Sequence, residues 1–139
     1  MGSRDIQMRN TMALKDFCTG VQHIGIPTND IERTTEFYER LGFSMALRTS
    51  NGDEQVAFLQ LGNLVIETYQ NHAATLRTGA IDHIALNVTH IDELFTWAKE
   101  LGLELLDEQV NSLPFWEHGV RFFTFLGPNR EKIEFCERL

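Results

Sequence analysis

One stretch near the start of the chain is written again sixty residues later. VQHIGIPTNDIERTTEFYERLGFSM (21–45) registers without a gap on IDHIALNVTHIDELFTWAKELGLEL (81–105), with His23/His83, Ile24/Ile84, Ile31/Ile91, Leu41/Leu101 and Gly42/Gly102 identical. A duplicated segment constrains the fold strongly: both copies must adopt one local structure, and a half of about 60 residues buries too little surface to stand alone. Each copy opens with alternating apolar residues, which predicts a strand. After a short polar turn the spacing becomes helical, through Ile31, Phe37, Tyr38 and Leu41 in the first copy and Ile91, Leu94, Phe95, Ala98 and Leu101 in the second. Asn29 or Asp30 suits the helix N-cap, and Gly42 and Gly102 suit the left-handed stop.

More strands are predicted after each glycine. FSMALRTS, EQVAFLQLG and LVIETYQ are separated by Asn51-Gly52 and Gly62-Asn63, which favour antiparallel hairpins. LELLDEQV, VRFFTFLG and EKIEFCE repeat that order, the last two joined by GPNRE at 127–131. The expected fold is α+β: two tandem βαβββ modules, 19–72 and 80–139, forming a curved, partly open, barrel-like sheet around a central site. Residues 71–80 read as the linker between modules of a single domain spanning 19–139, and residues 1–18 as a flexible leader.

Strand parity then singles out four residues. His23 and Gly25 alternate with Ile24 and Ile26, and His83 and Ala85 alternate with Ile84, Leu86 and Val88. Glu67 lies between Ile66 and Thr68, and Glu134 between Ile133 and Phe135. In all four strands the apolar parity feeds a core against the helices, so His23, Glu67, His83 and Glu134 are expected on the concave face. Gly25 and Ala85 leave room there. Two neutral imidazoles and two carboxylates neutralise one divalent cation, and such nitrogen and oxygen donors suit Zn²⁺, Ni²⁺, Co²⁺, Mn²⁺ or Fe²⁺.

Charge and hydropathy exclude other classes. Twelve basic residues against twenty acidic ones give a net charge of −8 with no Lys/Arg cluster, so nucleic acid is not an expected partner. No apolar run approaches the roughly 20 residues of a membrane span, and the start MGSRDIQMRN is polar, so a cytoplasmic protein without a membrane partner is expected. Cys18 and Cys136 read as reduced thiols. Half-modules of this size favour pairing across chains, hence a homodimer.

The strings QHIGI, VIETYQ, DHIAL and KIEFCE, in this order within paired modules, resemble the vicinal oxygen chelate superfamily of glyoxalase and bleomycin-resistance proteins. Within it, residues 20–137 look most like glyoxalase I, the lactoylglutathione lyase. The resemblance implies that His23, Glu67, His83 and Glu134 ligate one divalent metal ion, that Glu134 is the catalytic base, and that Glu67 is a ligand or second proton carrier. A carboxylate at the place of Glu67 favours the isomerase or lyase branch over the thiol transferases and dioxygenases. The implied activity is a metal-dependent, carboxylate-assisted proton transfer on a hemithioacetal or another α-hydroxycarbonyl small molecule. The chain departs from the glyoxalase pattern at Pro27, where an arginine helps hold glutathione, but keeps the asparagine, as Asn71. A thiol carrier other than glutathione therefore stays open. A metal-free drug-binding protein and a thioester epimerase are the alternatives. Phe115, Trp116 and His118 in SLPFWEHG are candidates for an apolar wall over the site, and Arg48 and Arg121 for contacts to an anionic substrate group.

Overall fold

The computed structural model describes residues 12–77, 79–126 and 132–139, so the expected GPNRE turn lies outside the described residues. Among these the chain is α+β, with nine strands and two α-helices: β1 (Cys18–Thr28), α1 (Ile31–Arg40), β2 (Ser44–Asn51), β3 (Glu54–Leu61), β4 (Leu64–Gln70), β5 (His83–Val88), α2 (Ile91–Glu100), β6 (Glu104–Leu105), β7 (Asn111–Leu113), β8 (Val120–Leu126) and β9 (Lys132–Arg138). Two compact units emerge, Val21–Ala85 and the remainder, which joins the chain up to Gly20 to Leu86–Leu139. The division passes through β1 and β5 instead of the 71–80 linker. Local bonds explain it: Thr89 donates its backbone N–H to the Phe17 carbonyl, and the Asn87 amide donates to the Thr19 hydroxyl.

In the Val21–Ala85 unit the strand order is β2-β3-β4-β1. The two hairpins are antiparallel, and β4 runs parallel to β1 with Ile24 opposite Ile66, Gly25 opposite Glu67 and Ile26 opposite Thr68. Helix α1 packs on β3 and β4. Phe43, Leu59 and Ile66 form its core, with Ile26 and Tyr38 against them. Burying the apolar parity on the helix side leaves the other parity, with Gly25 and Glu67 side by side, for the opposite face.

Both helices end in the same way. Gly42 (φ 106°) donates to Glu39 O and Phe43 to Tyr38 O, while Gly102 (φ 75°) donates to Lys99 O and Leu103 to Ala98 O. This double bond pattern needs a left-handed residue after the cap, which glycine adopts without Cβ strain. The starts differ. Asp30 accepts the Arg33 backbone N–H at 3.1 Å and caps α1, whereas α2 starts from His90 in the left-handed region without a side-chain cap.

In the other unit β8 is central, antiparallel to β9, β6 and β7. Its core joins Val88, Ile91, Leu94, Ala98, Phe123, Phe125 and Phe135. The strand path stays open, with β2 and β6 as its ends. Three expectations change here. The strand expected over 103–110 shrinks to Glu104–Leu105, because the Asp107 carboxylate accepts the Thr124 backbone N–H at 2.7 Å and replaces a ladder bond. Of the expected leader of 1–18, residues 1–11 lie outside the described residues, and Met12, Leu14, Phe17 and Cys18 pack against the core. Ile84, expected in the core, is exposed, while Val88 two turns of the pleat later is buried. No helix among the described residues is long and apolar enough to cross a membrane.

Arg121 on β8 forks onto Asp92 of α2 with bonds of 2.7 and 2.8 Å, and this pairing holds the Asp92 carboxyl below its ordinary range. Both side chains remain partly in water, so Arg121→Ala is expected to lower stability by less than about 1 kcal/mol in urea unfolding.

Candidate metal centre

Three of the expected ligands meet inside the Val21–Ala85 unit. His23 Nε2 lies 3.3 Å from His83 Nε2 and 3.6 Å from Glu67 Oε1, and His83 Nε2 lies 3.3 Å from the same carboxylate oxygen. The rings stand perpendicular with centroids 5.3 Å apart. Glu67 reaches the pair because β4 is parallel to β1 in the register that sets it beside Gly25.

That glycine has a specific task. A Cβ at position 25 would collide with Cε1, Nδ1 and Nε2 of the His83 ring. The space left on this face is thus filled by the chain's own imidazole, which is how His83 comes within reach of His23 and Glu67.

Each histidine is also held from behind. His83 Nδ1 is 3.0 Å from Asp82 Oδ2, and His23 Nδ1 is 3.0 Å from Gln22 Oε1. These oxygens are acceptors, so a proton on each Nδ1 satisfies them and leaves each Nε2 available as a ligand atom beside Glu67. His23 is 4% exposed and edges the buried Phe58 ring. Burial pulls its pKa down to about 4, against the opposing pull of Glu67, so the ring is neutral at physiological pH. Three donor atoms 3.3–3.6 Å apart call for a cation or a shared proton among them. Donors bound at about 2.0–2.2 Å to one ion are separated by about this distance, so the set fits a divalent metal.

Glu134 sits half-buried on β9 of the other unit, opposite Thr124 in the β8 ladder. Its position in the second repeat matches that of Glu67 in the first.

A model of the Glyoxalase/Bleomycin resistance protein/Dioxygenase superfamily matches residues 20–135. The chain belongs to this superfamily. It is also 34% identical over 125 residues, 85% of this chain and 97% of the relative, to the uncharacterized protein YwbC of Bacillus subtilis (strain 168). Two solved structures share the fold. Methylmalonyl-CoA epimerase from Mycobacterium tuberculosis superposes with a TM-score of 0.72 at 21% identity, covering 94% of this chain and 95% of that one. A hypothetical protein from Bacillus halodurans C-125 does so with a TM-score of 0.68 at 24% identity, covering 86% and 94%.

The other candidate residues of this superfamily member have structural partners of their own. Arg48, opposite Ala57 in the hairpin, donates to Glu32 at 2.8 Å, which places it on the helix-bearing face, away from the histidines. Arg121 is engaged by Asp92. Asn71 accepts the Ala73 backbone N–H at 3.0 Å and shapes the loop after β4. Pro27 lines a cavity of about 520 Å³ together with Ile26, Phe37, Tyr38 and Leu76. In the other unit, Phe115 is buried, and the Arg138 guanidinium lies 4.1 Å over the Trp116 ring. His118 is exposed beside Glu117. Two residues that sequence reasoning did not single out, Asp82 and Tyr69, border the centre: Asp82 meets His83 Nδ1, and the Tyr69 ring lies 6.1 Å from His83 at a tilt of 30°.

Proposed function

We propose that this superfamily member is a metal-dependent enzyme that moves a proton at a carbon next to a carbonyl, as a glyoxalase-like lyase or isomerase acting on a hemithioacetal or other α-hydroxycarbonyl compound. The observation that carries the reading is Glu67 Oε1 within 3.3–3.6 Å of both imidazole Nε2 atoms. In this reading His23, Glu67 and His83 hold the cation, with Glu134 as fourth ligand by virtue of its matching repeat position. When bound, a divalent cation polarises substrate oxygens and makes the adjacent C–H more acidic. The chain's own part is proton handling. Glu134 takes the proton from carbon and returns it to the neighbouring position, and Glu67 serves as ligand or second carrier. The buried, neutral His23 stays a ligand and does not compete for that proton.

A thioester epimerase is the second reading. It rests on the fold shared with methylmalonyl-CoA epimerase, and on Pro27, which cannot supply the charged fork that holds a glutathione carboxylate. A metal-free binding protein is disfavoured because small-molecule binding alone has no use for two imidazoles and a carboxylate gathered at 3.3–3.6 Å.

Metal analysis of protein reconstituted with Ni²⁺, Zn²⁺, Co²⁺ or Mn²⁺ is expected to find about one ion per chain. Proton NMR in D₂O then separates the two substrate classes. The reading expects deuterium to enter α-hydroxycarbonyl–thiol adducts; incorporation only into α-methyl thioesters would favour the epimerase. Absence of both bound metal and exchange would overturn the enzyme reading.

A further inference from the structure

The duplicated segment is not duplicated in one telling place. The residue just before each histidine is Gln22 in the first copy and Asp82 in the second. Both side chains meet the Nδ1 of the following imidazole at 3.0 Å, so they perform the same positioning with different charge. Asp82 is further braced. It lies beside Tyr69, whose ring is 6.1 Å from that of His83 at a tilt of 30°. Its backbone N–H separately donates to Gly25 O at 2.7 Å, so the main chain here is anchored whatever the side chain does.

We infer that Asp82 is a positioning residue that makes the two histidines unequal ligands, strengthening His83 by backing it with a carboxylate while Gln22 orients His23 without adding charge. A carboxylate that accepts Nδ1–H draws electron density toward Nε2 and fixes the ring plane, and outer partners of this kind are worth roughly 10–100-fold in metal affinity. A neutral amide does the second of these and little of the first. Metal affinity therefore leans on the Asp82–His83 half, and the amide-backed His23 is the weaker donor. The inference rests on the metal-binding reading of the site.

The test is titration of the full chain with Co²⁺, followed by the visible absorption of the bound ion, alongside urea unfolding. Asp82→Gln, which copies the first repeat into the second, is expected to weaken Co²⁺ binding by roughly 10–100-fold and to shift the absorption bands. The exchange variant Gln22→Asp/Asp82→Gln is expected to regain much of the affinity, because a carboxylate again backs one imidazole; a residue needed only for folding would not be rescued from the other side of the centre. Wild-type affinity and spectrum in Asp82→Gln, or no rescue in the exchange variant, would overturn the inference while leaving the metal centre intact. Failure of the wild-type chain itself to bind Co²⁺ would overturn the metal reading and this inference with it.

Discussion

Gly25→Ala is expected to abolish metal binding in a chain that still folds. The added methyl group collides with three ring atoms of His83, so the imidazole must swing away from Asp82, from His23 and from Glu67 together. Nothing in the backbone resists the alanine, since Gly25 is not among the glycines with positive φ. The change even narrows the unfolded ensemble, a gain of about 0.4–1 kcal/mol that partly offsets an overpacking cost of about 1–3 kcal/mol. Folding stability is therefore expected to fall by less than about 3 kcal/mol. The loss in metal affinity should exceed the roughly 10–100-fold that follows removal of an outer partner, because a ligand is displaced as well. Calorimetric titration with Zn²⁺ checks this, and His83→Ala serves as comparison. The double variant Gly25→Ala/His83→Ala should bind no more weakly than His83→Ala alone, since both changes remove one imidazole. Near-normal affinity in Gly25→Ala would show that the His83 ring is not held where the geometry puts it.

Much of this centre was legible because the duplication prints it twice. His23, His83 and Glu67 follow from parity and repeat position, and both helix stops follow from Gly42 and Gly102. Gly25 was legible as empty space but not as the seat of His83. Which side chain fills such a gap depends on residues 58 positions apart, and no local pattern carries that register. Asp82 and Tyr69 left a trace, since Asp82 departs from Gln22 at an otherwise matching place and Tyr69 shares the parity of Glu67. What was missing was a reason to weigh the departure. The arginines show a different limit. Sequence displays their charge without their partners, and here Glu32 and Asp92, matching first-turn acids of the two helices, each capture one arginine from a strand. Acids in that position also suit the positive end of a helix, so both have a structural role that competes with substrate binding for Arg48 and Arg121. The shortened strand after Gly102 has a similar origin: one carboxylate, Asp107, takes the β8 N–H that a longer strand needs.

Phe123→Ala should do the reverse of Gly25→Ala and cost the fold more than any single change near the histidines. Phe123 is fully buried in the second core, with ring centroids of Phe95, Phe135 and Phe125 at 5.0, 5.3 and 6.3 Å. It joins α2 to the β8–β9 ladder, where it faces Phe135 directly in the register. Truncation removes the transfer free energy of a whole ring, and three rigid aromatic neighbours cannot collapse into the hole as flexible aliphatic chains would. The expected loss is about 3–5 kcal/mol, a large part of the stability of a domain this size. Urea unfolding followed by circular dichroism checks it, with a lower midpoint and an unchanged slope. Phe123→Leu, which refills much of the volume, should recover more than half of the loss. A penalty under about 1 kcal/mol for Phe123→Ala would mean that the aromatic cluster tolerates a cavity its geometry gives it no means to close.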